Sequence, residues 1–169
     1  SYMNERLDPA IMKHYGCNIS HQPISNASFG FWPNMIPFID AGVNVSLGTD
    51  GQTQSMFENM RAAQMIHRIR YEDLNLLPDK QMFEMATING AKSLHLENEI
   101  GTLEVGKKAD IVLLKNDSPV PVFENNIMNF VVTVADSAHV DTVFIDGNKV
   151  VERGEYLLMD EDEVRAKCQ

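Results

Sequence analysis

The sequence predicts an α/β chain in two parts: a half in which helices alternate with short strands, then a mostly β segment from about residue 99. Three observations predict it. Up to residue 98, runs with helical spacing enclose short stretches such as "VNVSLG", where Val43, Val45 and Leu47 alternate with Asn44 and Ser46. Alternation of that kind is the period of a half-buried strand. Beyond Glu99 the helical spacing gives way to "ADIVLL" and "VDTVFIDGNKVVERGEYL", whose Asp146-Gly147 pair favours a two-residue hairpin turn. No apolar run approaches the ~18 residues that a membrane-spanning helix needs.

Taken in order, Asp8 is the expected cap and Pro9 the first residue of a helix carrying Ile11, Met12 and Tyr15 on one face, with Gly16 as its stop. "CNIS" follows as a strand and "HQPISN" as a loop. "WPNMIPFIDAG" reads as a second helix between Pro33 and Gly42, and "VNVSLG" as the next strand. After the loop "TDGQTQ", Ser55 caps a long helix, "SMFENMRAAQMIHRIRYED", with Met56, Met60, Ala63 and Ile66 or His67 as its apolar stripe. "LPDKQMFEMATINGAKSLHL" reads as one further helix on Phe83, Met85, Ala86, Ala91 and Leu94. Gly90 in its interior costs ~1 kcal/mol relative to Ala, which predicts close backbone packing there. Farther on, Val105 to Lys108 is a turn before a strand from Ala109 to Leu114, "SPVPVFEN" is an irregular crossing segment, and "NFVVTVA" is a strand. "MDEDEVRAKCQ" is a charged terminal helix whose acidic start suits the helix dipole. The expected organisation is 1–98, 99–157 and 158–169.

The 169 residues, 44% of them hydrophobic, are enough to bury a core without disulfides or a structural metal. Lys and Arg number 14 against 24 Asp and Glu, a formal net charge of -10. So acidic a surface repels phosphate backbones and anionic lipid, which argues against nucleic acid or membrane as partner. Cys17 and Cys168 form neither a disulfide framework nor a CxxC pair, and with no signal peptide at the start the expected compartment is the cytoplasm.

Chemistry concentrates at two strand ends. In parallel α/β architectures functional groups gather at the carboxyl ends of strands. His21 lies just past one predicted strand and Asp50 just past the next, between Gly48 and Gly51. An aspartate there is able to hold a divalent ion through its hard oxygens, to accept a proton from an activated water, or simply to close an Asx-type turn. His14, His67, His95 and His139 receive no role: His14 and His67, the latter beside Arg68 and Arg70, are expected on helix surfaces. Of the ten methionines, Met56, Met60, Met82 and Met85 follow helical spacing and are expected to pack in a core or interface. Trp32 either stacks on a planar substrate or closes a helix over the rim of the fold.

The runs "SHQPISN", "AGVNVSLGTDG", "MFENMRAAQMIHR", "MATINGAKSL" and "IGTLEVGKKADIVLL" occur in one order at natural spacing. Together they resemble the carboxyl-terminal part of a metal-dependent amidohydrolase, in the branch of cytosine-, aminopurine- and S-adenosylhomocysteine-type deaminases and triazine chlorohydrolases. The resemblance runs from about Asp8 to Leu157. It implies the last two strands and helices of a (β/α)8 TIM barrel, "CNIS" as the seventh strand and "VNVSLG" as the eighth, followed by strands of a β-sandwich built from both chain ends. It implies that Asp50 binds a divalent metal, zinc by expectation, and shuttles the proton of the nucleophilic water. His21 is then a substrate-side residue, Ser25 and Asn26 belong to the pocket rim, and Gln54 and Ser55 touch substrate. "DGQTQSMFENM" is shorter than the corresponding loop of that branch, which leaves the substrate open among aminopurine or nucleoside, cytosine and triazine types.

The same resemblance implies an H-x-H pair, two further histidines and a glutamate that this sequence does not contain. A whole barrel takes ~200 residues or more, so the expectation is a fragment whose metal site is incomplete and which is inactive alone. The implied activity of the intact protein is hydrolytic deamination of an amino-substituted heterocycle. The alternative is a non-catalytic fragment or subunit that dimerises, or that complements a partner half-barrel through its open strand edge.

Overall fold

The structure, a computed structural model, describes residues 5–119 and 121–168. It is α/β, with one parallel and one antiparallel sheet.

Helix α1 (Asp8–His14) starts with Asp8 in its first turn, Leu7 at the cap position and Gly16 past its end at φ 63°. Strands β1 (Asn18–His21) and β2 (Asn44–Leu47) pair in parallel, from Asn18 opposite Asn44 to His21 opposite Leu47. Parallel neighbours need a crossover, here supplied by α2 (Pro23–Ser28) and α3 (Ile36–Asp40). The expected loop "HQPISN" is therefore partly helical, because Pro23 pre-sets the helical φ at a first-turn position. The second helix starts later than expected, at Ile36, and Gly42 closes it at φ 77°.

Helix α4 (Met56–Tyr71) is capped as expected: the Ser55 hydroxyl accepts the Glu58 N–H at 3.3 Å. Met60 and Ala63 join Ile19, Met35, Phe38, Val43, Val45, Leu47, Met82 and Met85 in the main core. Methionine is thus a packing residue at these positions. The expected single helix after it is two, α5 (Asp79–Ala86) and α6 (Ile88–Ser93), interrupted at Thr87 (φ −128°, ψ −94°). The Thr87 hydroxyl donates to the Phe83 carbonyl at 2.7 Å, and its N–H turns to Glu84. The break redirects α6 so that Asn89 donates to the Val45 carbonyl at 3.0 Å, while Asn44 donates to the Asn89 carbonyl and to Ser93 Oγ. The Asn89 side chain thereby satisfies one backbone carbonyl of β2.

The second sheet is antiparallel in the order β3 (Ile111–Leu114), β4 (Val140–Ile145), β5 (Asn148–Glu152), β6 (Glu155–Tyr156). Asp146 and Gly147 form the expected hairpin turn, both at positive φ (51° and 77°). One face of this sheet leaves an apolar groove of about 540 Å³ lined by Val140, Val143, Val150 and Tyr156. The expected strand "NFVVTVA" is instead helical: α7 (Ile127–Asn129) runs into a π-helical turn, Phe130–Val134. Its β-branched residues suit a strand in isolation, but burial decides. Phe130, Val132 and Ala135 are buried, Val132 within the main core, and Arg61 donates to the Ala135 carbonyl at 2.7 Å. Helix α8 (Glu161–Lys167) closes the chain, with Asp160 accepting the Glu163 N–H at its cap. Among the described residues no helix is long and apolar enough to cross a membrane.

The glycine expected to be packed is open, and another is not. A methyl on Gly90 would meet nothing within 4 Å, whereas one on Gly101, at φ 92°, would lie 2.8 Å from Ala91 Cβ and 3.0 Å from Ile88 Cα. Gly90→Ala is expected to stabilise the chain by about 0.5–1 kcal/mol, and Gly101→Ala to destabilise it by more than about 1 kcal/mol. Urea unfolding of the two variants checks both signs.

Candidate active site at the strand ends

The parallel register brings the ends of β1 and β2 to one edge, tied by the Gly48 N–H donating to the His21 carbonyl at 2.9 Å. Space at Gly48 is tight: a Cβ would lie 2.8 Å from Ser20 Oγ and 3.2 Å from Gln22 Nε2, so those side chains would have to shift. The chain past Gly48 turns at Asp50, which takes φ 53° and stands exposed. Its carboxylate is oriented at both oxygens. Oδ2 accepts from the buried Ser25 hydroxyl at 2.8 Å, and Oδ1 accepts the Gly51 N–H at 2.8 Å. Each carboxylate oxygen has two lone-pair directions, so both retain one for a cation or a proton.

Of the remaining expected residues, Gln54 is exposed and donates to the Asp50 carbonyl at 3.4 Å, which places it on the same turn. Ser55 is committed through its oxygen to the cap of α4. Asn26 lies on α2 next to Ser25, half-buried. Ser25, expected only at the rim, is the residue that fixes Asp50.

His21 is 3% exposed, and neither ring nitrogen has a partner among the described residues. Burial, and secondarily the neighbouring His67, lower its pKa from 6.5 to about 3, so the ring is neutral. His67 corrects an expectation: it is wholly buried rather than on a helix surface. The adjacent arginines pointed outward in sequence, but His67 stands four residues after Ala63, on the same stripe as Met60. Its Nε2 accepts the Met35 N–H at 3.2 Å, which leaves the proton on Nδ1, donated to the Ala63 carbonyl at 2.8 Å. Desolvation lowers its pKa also, against the raising effect of that carbonyl. The His21 and His67 rings meet edge to face at 5.5 Å, and Trp32 lies 5.7 Å beyond His67. A cavity of about 230 Å³ opens here, lined by His21, Pro23, Ala27, Phe31, Trp32 and Ile66 among others.

Asp50 suits a divalent ion as one oxygen ligand. Among the described residues, however, no three His, Cys, Asp or Glu side chains are gathered to hold one, and a catalytic zinc site takes three protein ligands. The donors among the described residues therefore do not make a whole metal site.

Both buried rings hold folded-state pKa values below those of the unfolded chain. The unfolded state then binds more protons in the window from about 6.5 down towards 3, and stability falls as pH falls through it. The His21 ring resonances are expected to show no titration between about pH 8 and pH 5; an NMR titration with a midpoint near 6.5 would contradict its burial as a neutral ring.

Residues 5–150 match the amidohydrolase family. The chain is 38% identical over 163 residues to a 5-methylthioadenosine/S-adenosylhomocysteine deaminase of Acetivibrio thermocellus, covering 94% of this chain and 38% of that protein. It is 36% identical over 165 residues to a 5'-deoxyadenosine deaminase of Methanosarcina acetivorans, covering 93% and 37%. In fold it is similar to an adenosine deaminase from Xanthomonas campestris solved with bound zinc, at a TM-score of 0.91 and 24% identity, over 99% of this chain and 39% of that one. The chain thus spans under two fifths of the length of these relatives. With its β1 and β2 ends, its oriented aspartate and a match along most of its length, the chain belongs to the amidohydrolase family.

Proposed function

We propose that this chain contributes the strand-end aspartate of a metal-dependent hydrolase that deaminates an amino-substituted heterocycle, and that the substrates are adenosine-type nucleosides altered at the 5′ position. The single observation that carries the reading is the placement of Asp50: exposed, past the carboxyl end of β2, with both oxygens oriented and each still able to bind. The names of the relatives favour the nucleoside over the cytosine and triazine alternatives.

In this reading β1 and β2 are the last two strands of a barrel, residues 1–98 form its partial catalytic region and 99–157 a sandwich region, with the 127–135 segment reaching back onto α4 and α5. The remaining metal ligands and the acid–base glutamate come from residues outside this sequence. A divalent ion of the zinc class would, when bound, activate water for attack at a pH near ~7. The chain's own residues do the following. Asp50 would hold the ion through its carboxylate and would take up the proton that the attacking water gives up. Ser25 keeps the carboxylate from rotating away. His21, neutral and shielded, borders the substrate as an uncharged ring, while Asn26, Gln54 and Ser55 border it on the rim.

Asp50→Asn preserves the shape of the side chain: its one oxygen can still accept the Gly51 N–H, and its amide NH2 can donate to the Ser25 hydroxyl oxygen in place of the bond that the carboxylate accepts. In the protein carrying this chain it is expected to lower deamination by roughly 10²–10⁴-fold, with the circular dichroism spectrum and melting temperature unchanged. Turnover near that of the unsubstituted protein would refute the role of Asp50.

A further inference from the structure

The two faces of the β1–β2 pair differ in kind. Ile19, Val45 and Leu47 belong to the helix-packed core. The alternate positions set Asn18 opposite Asn44 and Ser20 opposite Ser46, and Gln22 and Gly48 follow them at the strand tips. The amino-end half of this polar face is closed. Asn44 donates to Asn18 Oδ1 at 2.9 Å and to groups of α6, whose Ser93 hydroxyl donates to the buried Ser46 Oγ at 3.4 Å. The carboxyl-end half is open: Ser20 and Asp50 are exposed, and Gln22 and Gly48 are half-buried.

Gln22 occupies the N-cap position of α2, yet its side chain makes no cap bond there. Its Nε2 donates instead to Ser20 Oγ at 2.9 Å. The side chain lies against Gly48, where a Cβ would come within 3.2 Å of Gln22 Nε2 and 3.5 Å of Gln22 Cγ. The carboxamide is thus packed two residues before Asp50 on one strand end, and stands three residues before Ser25, which holds Asp50, on the other. A carboxamide carries two N–H donors and one carbonyl acceptor. Among the described residues it makes only the bond to Ser20, so one N–H and Oε1 are left for a ligand.

We infer that Gln22 is a specificity-determining residue that reads the aminated ring of the substrate, its N–H donating to a ring nitrogen and its Oε1 accepting from the exocyclic amino group. The inference rests on the deaminase reading and deepens it. A donor beside an acceptor is the complement of a ring nitrogen beside an amino group, the pairing by which Gln recognises adenine at N6 and N7. In an adenosine-type ring the amino group is flanked by N1 and N7. Hydroxide adding to the amino-bearing carbon places charge on N1, which in the proposed reading is served by the acid–base glutamate. N7 is the flank left to Gln22.

Steady-state deamination by the protein carrying this chain is measured with 5′-deoxyadenosine and with its 7-deaza analogue, in which C–H replaces the N7 acceptor. The same pair is measured with Gln22→Met, which keeps the length of the side chain and removes its polar atoms. The kcat/KM preference for 5′-deoxyadenosine is expected to be about tenfold larger with Gln22 than with Met, and the loss on substitution is carried by KM. Comparing the two preferences cancels the analogue's own reactivity. An unchanged preference in folded Gln22→Met overturns the assignment. Calorimetric binding of both compounds to the Asp50→Asn protein gives a readout without turnover: the analogue is expected to bind about tenfold more weakly, and equal affinity overturns the assignment whether or not Gln22→Met folds. Discrimination in binding without deamination of either compound by the unsubstituted protein supports the role of Gln22 and sinks the deaminase reading. Deamination with equal affinities sinks Gln22 and leaves that reading standing, and neither binding nor turnover sinks both.

Discussion

The parallel pairing of β1 with β2 is the constraint on which the rest depends. Because His21 stands opposite Leu47, the two strands finish level, and the groups that follow them are delivered to the same edge. A one-residue slip of β2 would turn Val43, Val45 and Leu47 away from the core. Burial of Val45 and Leu47 against Phe38, Met60 and Met85 therefore sets the register, and the register sets the site. The Ser25–Asp50 hydrogen bond is the last link, converting a turn at a strand tip into a carboxylate with a fixed direction.

Behind that edge lies a layer of neutral polar groups. His67 spends both nitrogens on backbone atoms, and in doing so joins the loop before α3 to the middle of α4. His21 spends neither. Two adjacent buried imidazoles thus stand in opposite bonding states, and of the two only His67 ties separate parts of the backbone together. The apolar groove on the second sheet is larger than the cavity at His21, but its one titratable lining residue is Tyr156 and Asp50 is not among its walls. Size alone does not mark the chemistry here.

Much of this arrangement was legible in the sequence, for physical reasons that differ by residue. The alternation in "VNVSLG", the glycines flanking Thr49-Asp50 and the Asp146-Gly147 turn each express a local backbone requirement, and local requirements can be read along a chain. The segment Phe130–Val134 could not be read that way, because its β-branched pattern describes a strand while its position against α4 and α5 demands another form. Thr87 broke a continuous helical pattern through one hydroxyl. His67 was hidden by the arginines beside it, although its spacing from Met60 and Ala63 already placed it inward. Ser25 carried no local signal for its role, since the contact joins residues 25 positions apart.

The account's central claim is that Asp50 is a metal ligand, and locating the ion tests it most directly. In a crystal of the zinc-loaded protein carrying this chain, anomalous diffraction is predicted to place the ion about 2.0–2.2 Å from an Asp50 carboxylate oxygen. A fully occupied ion bound elsewhere, with the Asp50 oxygens beyond coordination distance, would contradict it.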